Sequence, residues 1–247
     1  PDRFIEQDIV CWEDKQNALI ARRETRYEQI VLASKSIGKV DSGQAADALC
    51  TVVSQKGLAV LPWDEPAEQF RQRISCLRLW MPELGLEDVS DDALLANIDC
   101  WLRPFLQGKS RLDALSANEL HDALLSLFDW PQRQLIDRFA PAHIKVPSGL
   151  ERSIRYANGS DPVLAVKLQE LFGLAQSPTV ANGKIVVTLH LLSPAGKPLQ
   201  ITQDLSNFWN STYAEVRREM KIRYPRHPWP EDPWSAPATH RAKPRGS

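Results

Sequence analysis

The chain has 247 residues, 43% of them hydrophobic and 25% charged, which is ordinary globular composition and argues for a real buried core. No run approaches the ~20 apolar residues of a membrane-spanning helix and no signal-like stretch follows Pro1, so the expectation is a soluble, cytoplasmic piece of something larger with no membrane partner. The formal net charge of −1 conceals an asymmetry, because eight Arg and Lys face three acids between Arg217 and Arg245 while the rest of the chain is acidic.

Residues 4–36 read as β-structure. Residues 9–12, 18–21 and 29–33 are apolar strand-like runs, and 13–17 is a polar turn. Between the second and third runs, Arg22, Arg26 and Tyr27 fall on a β surface. So small a sheet is marginal alone, so the expectation is part of a small barrel with further strands before Pro1.

Residues 38–43 are a break, and helical signals follow. One helix covers 45–57. Another covers 64–80, with Asp64 as N-cap and Phe70, Ile74, Leu77 and Trp80 on its stripe. A third starts at Ser90, carries Leu94, Leu95, Ile98 and Leu102, and is kinked or ended by Pro104. Ser116 with Glu119 makes a capping box for a fourth, and Pro131 opens a last one with Leu135 and Ile136 inward. Trp63, Trp80, Trp101 and Trp130 lie near the ends of these helices, where packing at helix junctions is favoured over base stacking.

From His143 the pattern returns to strands at 144–146, 153–156 and 163–166, with Asn158-Gly159 as a hairpin turn. Residues 168–173 make a short helix closed by Gly173. Val187, Leu189 and Leu191 then alternate with Thr188, His190 and Leu192, the period of a strand with one face inward. Residues 193–198 are turn chemistry and 199–202 the return strand. Asp204 caps a short helix bearing Leu205, Phe208 and Trp209, and Thr212 with Glu215 makes a capping box for the next. That last helix buries Val216 and Met220 and turns Arg217, Arg218 and Lys221 toward water.

No catalytic constellation stands out. Gly108-Lys109-Ser110 matches the end of a phosphate-binding loop, but Arg103 occupies the position of the required earlier Gly, and a helix leads in where a strand should. His121, His143, His190, His227 and His240 are dispersed. Cys11, Cys50, Cys76 and Cys100 lack metal-ligand spacing and read as buried thiols in a reducing compartment. The positive signal is the cluster Arg217, Arg218, Lys221, Arg223 and Arg226, followed by Arg241, Lys243 and Arg245. Each phosphate that such a cluster neutralises releases a counterion. Tyr224 and Trp229 add rings for base stacking. Pro225, Pro228, Pro230 and Pro233 make the segment a stiff strap, which equally suits binding back on the protein with Trp229 and Trp234 as anchors.

At these residues the chain resembles a known family. HLLSPAGKPLQITQDLSNFW (190–209) and YAEVRREMKIRYPRHPWPEDP (213–233) look like the C-terminal signature of the HrpB type of bacterial ATP-dependent helicase, of the DEAH/RHA class; LAVKLQELFG (164–173) and LAVLPW (58–63) look like further pieces. The resemblance implies a non-catalytic region behind an upstream motor. ATP and Mg²⁺ would belong to that motor and no cofactor to this chain, which lacks the D-E-A-H box. It further implies an α+β fold: mixed β-structure with an OB-like barrel portion, a helical subdomain inserted between β segments, and a C-terminal helix with a Pro-rich basic tail. The boundaries expected are 1–40, 41–141 and 142–247. RNA or another single-stranded nucleic acid and the helicase core lobes are the implied partners. Arg22, Arg23, Arg26, Lys145 and Arg155 join the C-terminal cluster as candidate contacts. The competing reading is a protein-docking module with little nucleic-acid affinity, in which Trp229 and Trp234 are buried and the basic residues pair with acids.

Overall fold

The computed structural model describes residues 4–14, 16, 18–27, 30–36 and 41–242. Lys243, Arg245 and residues 38–40 of the expected break lie outside the described residues. The chain divides into two units, Pro1–Arg71 with Glu87–Trp130, and Gln72–Leu86 with Pro131–Ser247.

The first unit opens with an antiparallel meander, β1 (Phe4–Glu13), β2 (Ala18–Tyr27) and β3 (Ile30–Ser36). Alternation turns Leu19 and Ala21 of β2 inward, whereas every residue of β3 is exposed. Helix α1 (Ser42–Lys56) follows, capped by Asp41, whose carboxylate accepts from the amides of Gly43 and Gln44. Its apolar face, including Ala46, Leu49 and Val53, is fully buried. Helix α2 (Glu65–Trp80) starts as expected, the Ala67 amide donating to Asp64, and passes from the first unit into the second after Arg71.

The helix expected from Ser90 is three pieces, α3 (Asp91–Ala96), α4 (Ile98–Trp101) and α5 (Arg103–Leu106). Asn97 breaks the first junction, its side-chain amide donating to the carbonyl of Ala93 in competition with the backbone ladder. Trp101 is fully buried, with its indole N–H on the carbonyl of Leu94. Helix α6 (Ala117–Leu125) carries the expected capping box: Ser116 accepts from the Glu119 amide while Glu119 accepts from the Ser116 amide. That amide, with Lys109 and the Ser116 hydroxyl, holds the Glu119 carboxyl down at about 2. Lys109 is thereby engaged at 2.9 Å by Glu119, and Gly108 closes the preceding helix at φ 73°, so this segment is a helix-ending turn.

In the second unit, α7 (Trp130–Phe139) leads to a five-stranded sheet. Its strands are β4 (His143–Lys145), β5 (Glu151–Arg155), β6 (Val163–Lys167), β9 (Thr188–Leu192) and β10 (Pro198–Thr202), in the order β10-β9-β6-β5-β4. β7 (Thr179–Val180) and β8 (Ile185–Val186) form a small separate hairpin. β6 and β9 run parallel and the other pairs antiparallel. Ile154, Leu164, Val166, Leu189 and Leu191 line the buried face. α8 (Leu205–Asn207) and a π-helical turn (Phe208–Thr212) run without interruption into α9 (Tyr213–Arg223).

Several expectations need correction. Among the described residues the strands form three separate open sheets, and none closes into a barrel. In β10, a register shift between Pro198 and Gln200 interrupts the ladder with β9. Thr212 makes no capping bond, because the π-helical turn keeps it inside a continuous helix that Asp204 caps. Trp130 is 70% exposed instead of packed. Cys50 and Cys76 are buried, with thiols pushed up to about 11 mainly by desolvation, but Cys11 is half-buried and Cys100 exposed.

Candidate nucleic-acid interface

Helix α9 is built from YAEVRREMKIR, residues that mostly favour helix, and it stops where Pro225 forces Tyr224 out of the α region, to φ −132° and ψ 63°. Tyr213 and Met220 face the core, where Phe172, Phe208, Trp209 and Tyr213 form a ring cluster with centroids 5.2–6.4 Å apart. Trp209 also donates its indole N–H to the carbonyl of Leu174 at 2.8 Å. One side of the helix is thereby fixed.

The proline strap then folds back. Trp229 is only 7% exposed and its indole N–H donates to the carbonyl of Tyr224 at 2.9 Å. The Tyr213 hydroxyl donates to the carbonyl of Pro230, and the Gly173 amide donates to that of Pro233. His227 Nδ1 lies 2.9 Å from Gln169 Oε1, and the Thr239 amide reaches the carbonyl of Gln169 at 3.0 Å. The prolines preset the extended backbone, so little entropy opposes this docking. Beside Gln169, Glu170 is fully buried and held by Arg152 through two bonds of 2.7 Å.

Their partners divide the cations of α9 into two sets. Arg217 is half-buried and structural, with Nε on the carbonyl of Trp229 at 3.0 Å and Nη2 on Glu231 at 2.8 Å. Arg223 pairs with Glu219 at 3.2 Å one turn earlier. Arg218 and Lys221, three residues apart on one face, are exposed and have no ion-pair partner among the described residues. Arg226 is exposed beside His227, and Arg226 with Lys167 adds to the effect of burial in holding the His227 pKa below its ordinary value. Trp229, buried as an anchor, presents no open face for stacking a base. Trp234 is half-buried.

On the five-stranded sheet, register places Lys145, Arg155 and Lys167 on the outward face with His190 and Ile201, and Glu151 on that same face opposite Lys145. Lys167 escaped the sequence reading, although its alternation with Val166 along β6 carried the signal. Arg22, Arg23 and Arg26 belong to the other unit and are engaged within their own sheet. Arg23 makes two bonds to Asp8 at 2.7 and 3.0 Å, Arg26 meets Glu24 at 2.9 Å, and Arg22 lies 3.6 Å from Glu13.

Comparison with known proteins now bears on this arrangement. The profile of a family described as "HrpB_C: ATP-dependent helicase C-terminal" matches residues 101–233, more than half the chain. The chain belongs to the HrpB C-terminal family. It is similar to "ATP-dependent RNA helicase HrpB" of Escherichia coli K12, at 41% identity over 243 residues, which is 98% of this chain and 30% of that protein. Two solved structures share its fold. The crystal structure of E. coli DExH-box NTPase HrpB superposes with a TM-score of 0.82 at 41% identity, covering 97% of this chain and 30% of the other. That of E. coli DEAH/RHA helicase HrpB gives 0.72 at 40%, covering 93% and 29%. The chain thus spans less than a third of the HrpB proteins it matches, and the family's matched segment includes α9 and the strap up to Pro233. Among the described residues, no helix is long and apolar enough to cross a membrane.

Proposed function

We propose that this chain is the non-catalytic C-terminal region of a cytoplasmic, HrpB-type ATP-dependent RNA helicase, where it holds single-stranded RNA beside the motor and braces the motor lobes. ATP and Mg²⁺ are used by those lobes. The observation that carries the RNA role is the pair Arg218 and Lys221, open to solvent on a helix locked from behind by Trp229 and the ring cluster. Arg226 and Arg241 extend the basic surface along the strap, and Lys145, Arg155 and Lys167 supply a second basic stretch on the sheet. The bracing role draws on the apolar side chains left open on the meander, Ile5 at 59%, Ile30 at 63% and Leu32 at 55% exposure. We take that meander as the part of an OB-like barrel that this chain contributes, its remaining strands coming from elsewhere in the helicase.

Binding of a single-stranded RNA oligonucleotide across a salt series tests the RNA role. Neutralising both side chains, Arg218→Gln with Lys221→Gln, should lower the slope of log K against log salt by about 1.4, at about 0.7 for each phosphate that no longer meets a cation. Arg217→Gln should weaken the fold and leave the slope nearly intact. An unchanged slope in the double variant removes this pair from RNA binding. Protein docking is favoured by a specific feature, Ile222, which is 84% exposed one turn beyond Arg218 and gives an aliphatic contact that a phosphate chain does not need.

A further inference from the structure

The sequence contains two exposed Asn-Gly pairs, Asn158-Gly159 between β5 and β6 and Asn182-Gly183 between β7 and β8. Asparagine followed by glycine is the most reactive setting for side-chain deamidation, because no Cβ shields the next amide nitrogen. The reaction requires that nitrogen to leave its hydrogen bonds and reach the Asn Cγ. The two pairs differ in this respect. The Gly183 amide is committed to the carbonyl of Val180 at 3.1 Å, and Asn182 itself is held in the left-handed region at φ 57°. Its neighbour Ala181 is fully buried, also has positive φ, and donates its amide to Phe139 at 2.7 Å. Lys184 is tied to Glu83 at 2.9 Å on the far side of the turn. That hairpin is clamped at both ends.

The Asn158 turn is held differently. Its closing bond runs from the Ser160 amide to Ala157, and the Asn158 amide donates to Gln72 Oε1 at 2.8 Å. The Gly159 amide and the Asn158 carboxamide have no hydrogen-bond partner among the described residues, and Gly159 sits at φ 74° with nothing within 4 Å of where a Cβ would be. We propose that Asn158 is a site of spontaneous, conformation-selected deamidation, and that Asn182 is protected by its turn. The Gly159 amide loses its proton to base, and its nitrogen attacks the Asn158 Cγ. The new N–Cγ bond replaces the Cγ–Nδ2 bond, and ammonia leaves. Water then opens the succinimide at either carbonyl, giving aspartate or isoaspartate at position 158. No oxidant or cofactor is required. The product adds a negative charge to the turn and, as isoaspartate, one extra backbone methylene beside the Gln72 anchor.

The test uses the full chain, folded, aged in mildly alkaline buffer and digested for peptide mass spectrometry. Isoaspartate is counted independently by methyl transfer from labelled S-adenosylmethionine with an isoaspartyl methyltransferase. The expected result is the amide-to-acid mass gain and the methyl label in the 158 peptide, with the 182 peptide lagging. Unfolding the chain in denaturant should bring the two rates together. Asn158→Gln, which leaves the backbone undisturbed and cannot form the five-membered ring readily, should remove most of the label. Equal or faster reaction at Asn182 in the folded protein, or an intact Asn158, overturns the assignment. So does a bias toward Asn158 that persists equally in the unfolded chain, since local sequence and not the turn would then decide it.

Discussion

Truncating Trp229 to alanine tests whether the strap is part of the fold. The ring is 7% exposed, so nearly all of its surface is removed from water. A tryptophan of roughly 200 Å² at about 25 cal/mol per Å² is worth about 5 kcal/mol in transfer terms. A compact unfolded chain already covers some of that surface, which brings the figure to about 3–4 kcal/mol, within the range of about 3–5 measured for Trp→Ala in cores. The carbonyl of Tyr224 also loses its indole donor, but it lies near solvent and water can replace it. Trp229→Phe isolates that bond and should cost much less than the alanine. Two measurements are needed, because a strap can open without the body. Urea unfolding followed by circular dichroism reads the global loss, and trypsin cleavage at Arg226 and Arg241 reads local release. A loss below about 1 kcal/mol together with unchanged cleavage would refute the anchoring role, since that is the scale of an ordinary surface substitution.

Arg152→Met leaves the fully buried Glu170 without its partner and should cost about 3–5 kcal/mol, most of it recovered by adding Glu170→Leu, as read from denaturation midpoints. A single variant as stable as the parent would show that the Glu170 carboxylate is satisfied without Arg152. Burial, with Lys167 and Arg226 nearby, holds the His227 pKa below its ordinary 6.5. The unfolded chain therefore binds the proton more readily, so strap stability is complete above about 6.5 and falls as pH drops through and below it. His227→Gln should flatten the acid limb of strap cleavage by protease, and an identical acid limb in the variant would exclude His227 as its source.

What the sequence disclosed was mostly local chemistry. The alternation over residues 187–192 became strand β9 because a sheet with one dry face allows no other phase, and Val187, Leu189 and Leu191 are fully buried. Ser116 and Glu119 formed their box because both partners lie within one turn. Thr212 and Glu215 have the same spacing but no box, since whether a helix starts or merely continues there depends on the upstream chain. The parallel pairing of β6 with β9 had no sequence signal, being fixed by packing of the crossover between Lys167 and Thr188 and not by any local residue. Trp229 was ambiguous for a related reason: an aromatic among prolines and arginines reads the same whether its ring faces a base or a helix. Only the geometry of Tyr213, Arg217 and Tyr224 around it decides.

The division within α9 also sets how much charge a polyanion can meet. Composition alone credits the segment from Arg217 onward with eight cations, which would predict a salt slope of about 5.6 for single-stranded RNA if each met a phosphate. The fold spends part of that charge internally. Arg217 is turned under the strap to Glu231, and Arg223 is held by Glu219. With Arg218 and Lys221 as the unpaired cations, α9 accounts for about 1.4 of the slope, and any larger measured value comes from cations outside the helix, among them Arg226, Arg241, Lys243, Arg245 and those of the sheet. The parent slope and its decrease in the Arg218 and Lys221 double variant therefore say different things. A parent slope near 1.4 that vanishes in the variant confines the RNA to one helical face. A steeper slope that drops by the same amount extends the path beyond α9, along the strap cations or across the outward face of the sheet toward Lys167 and Arg155.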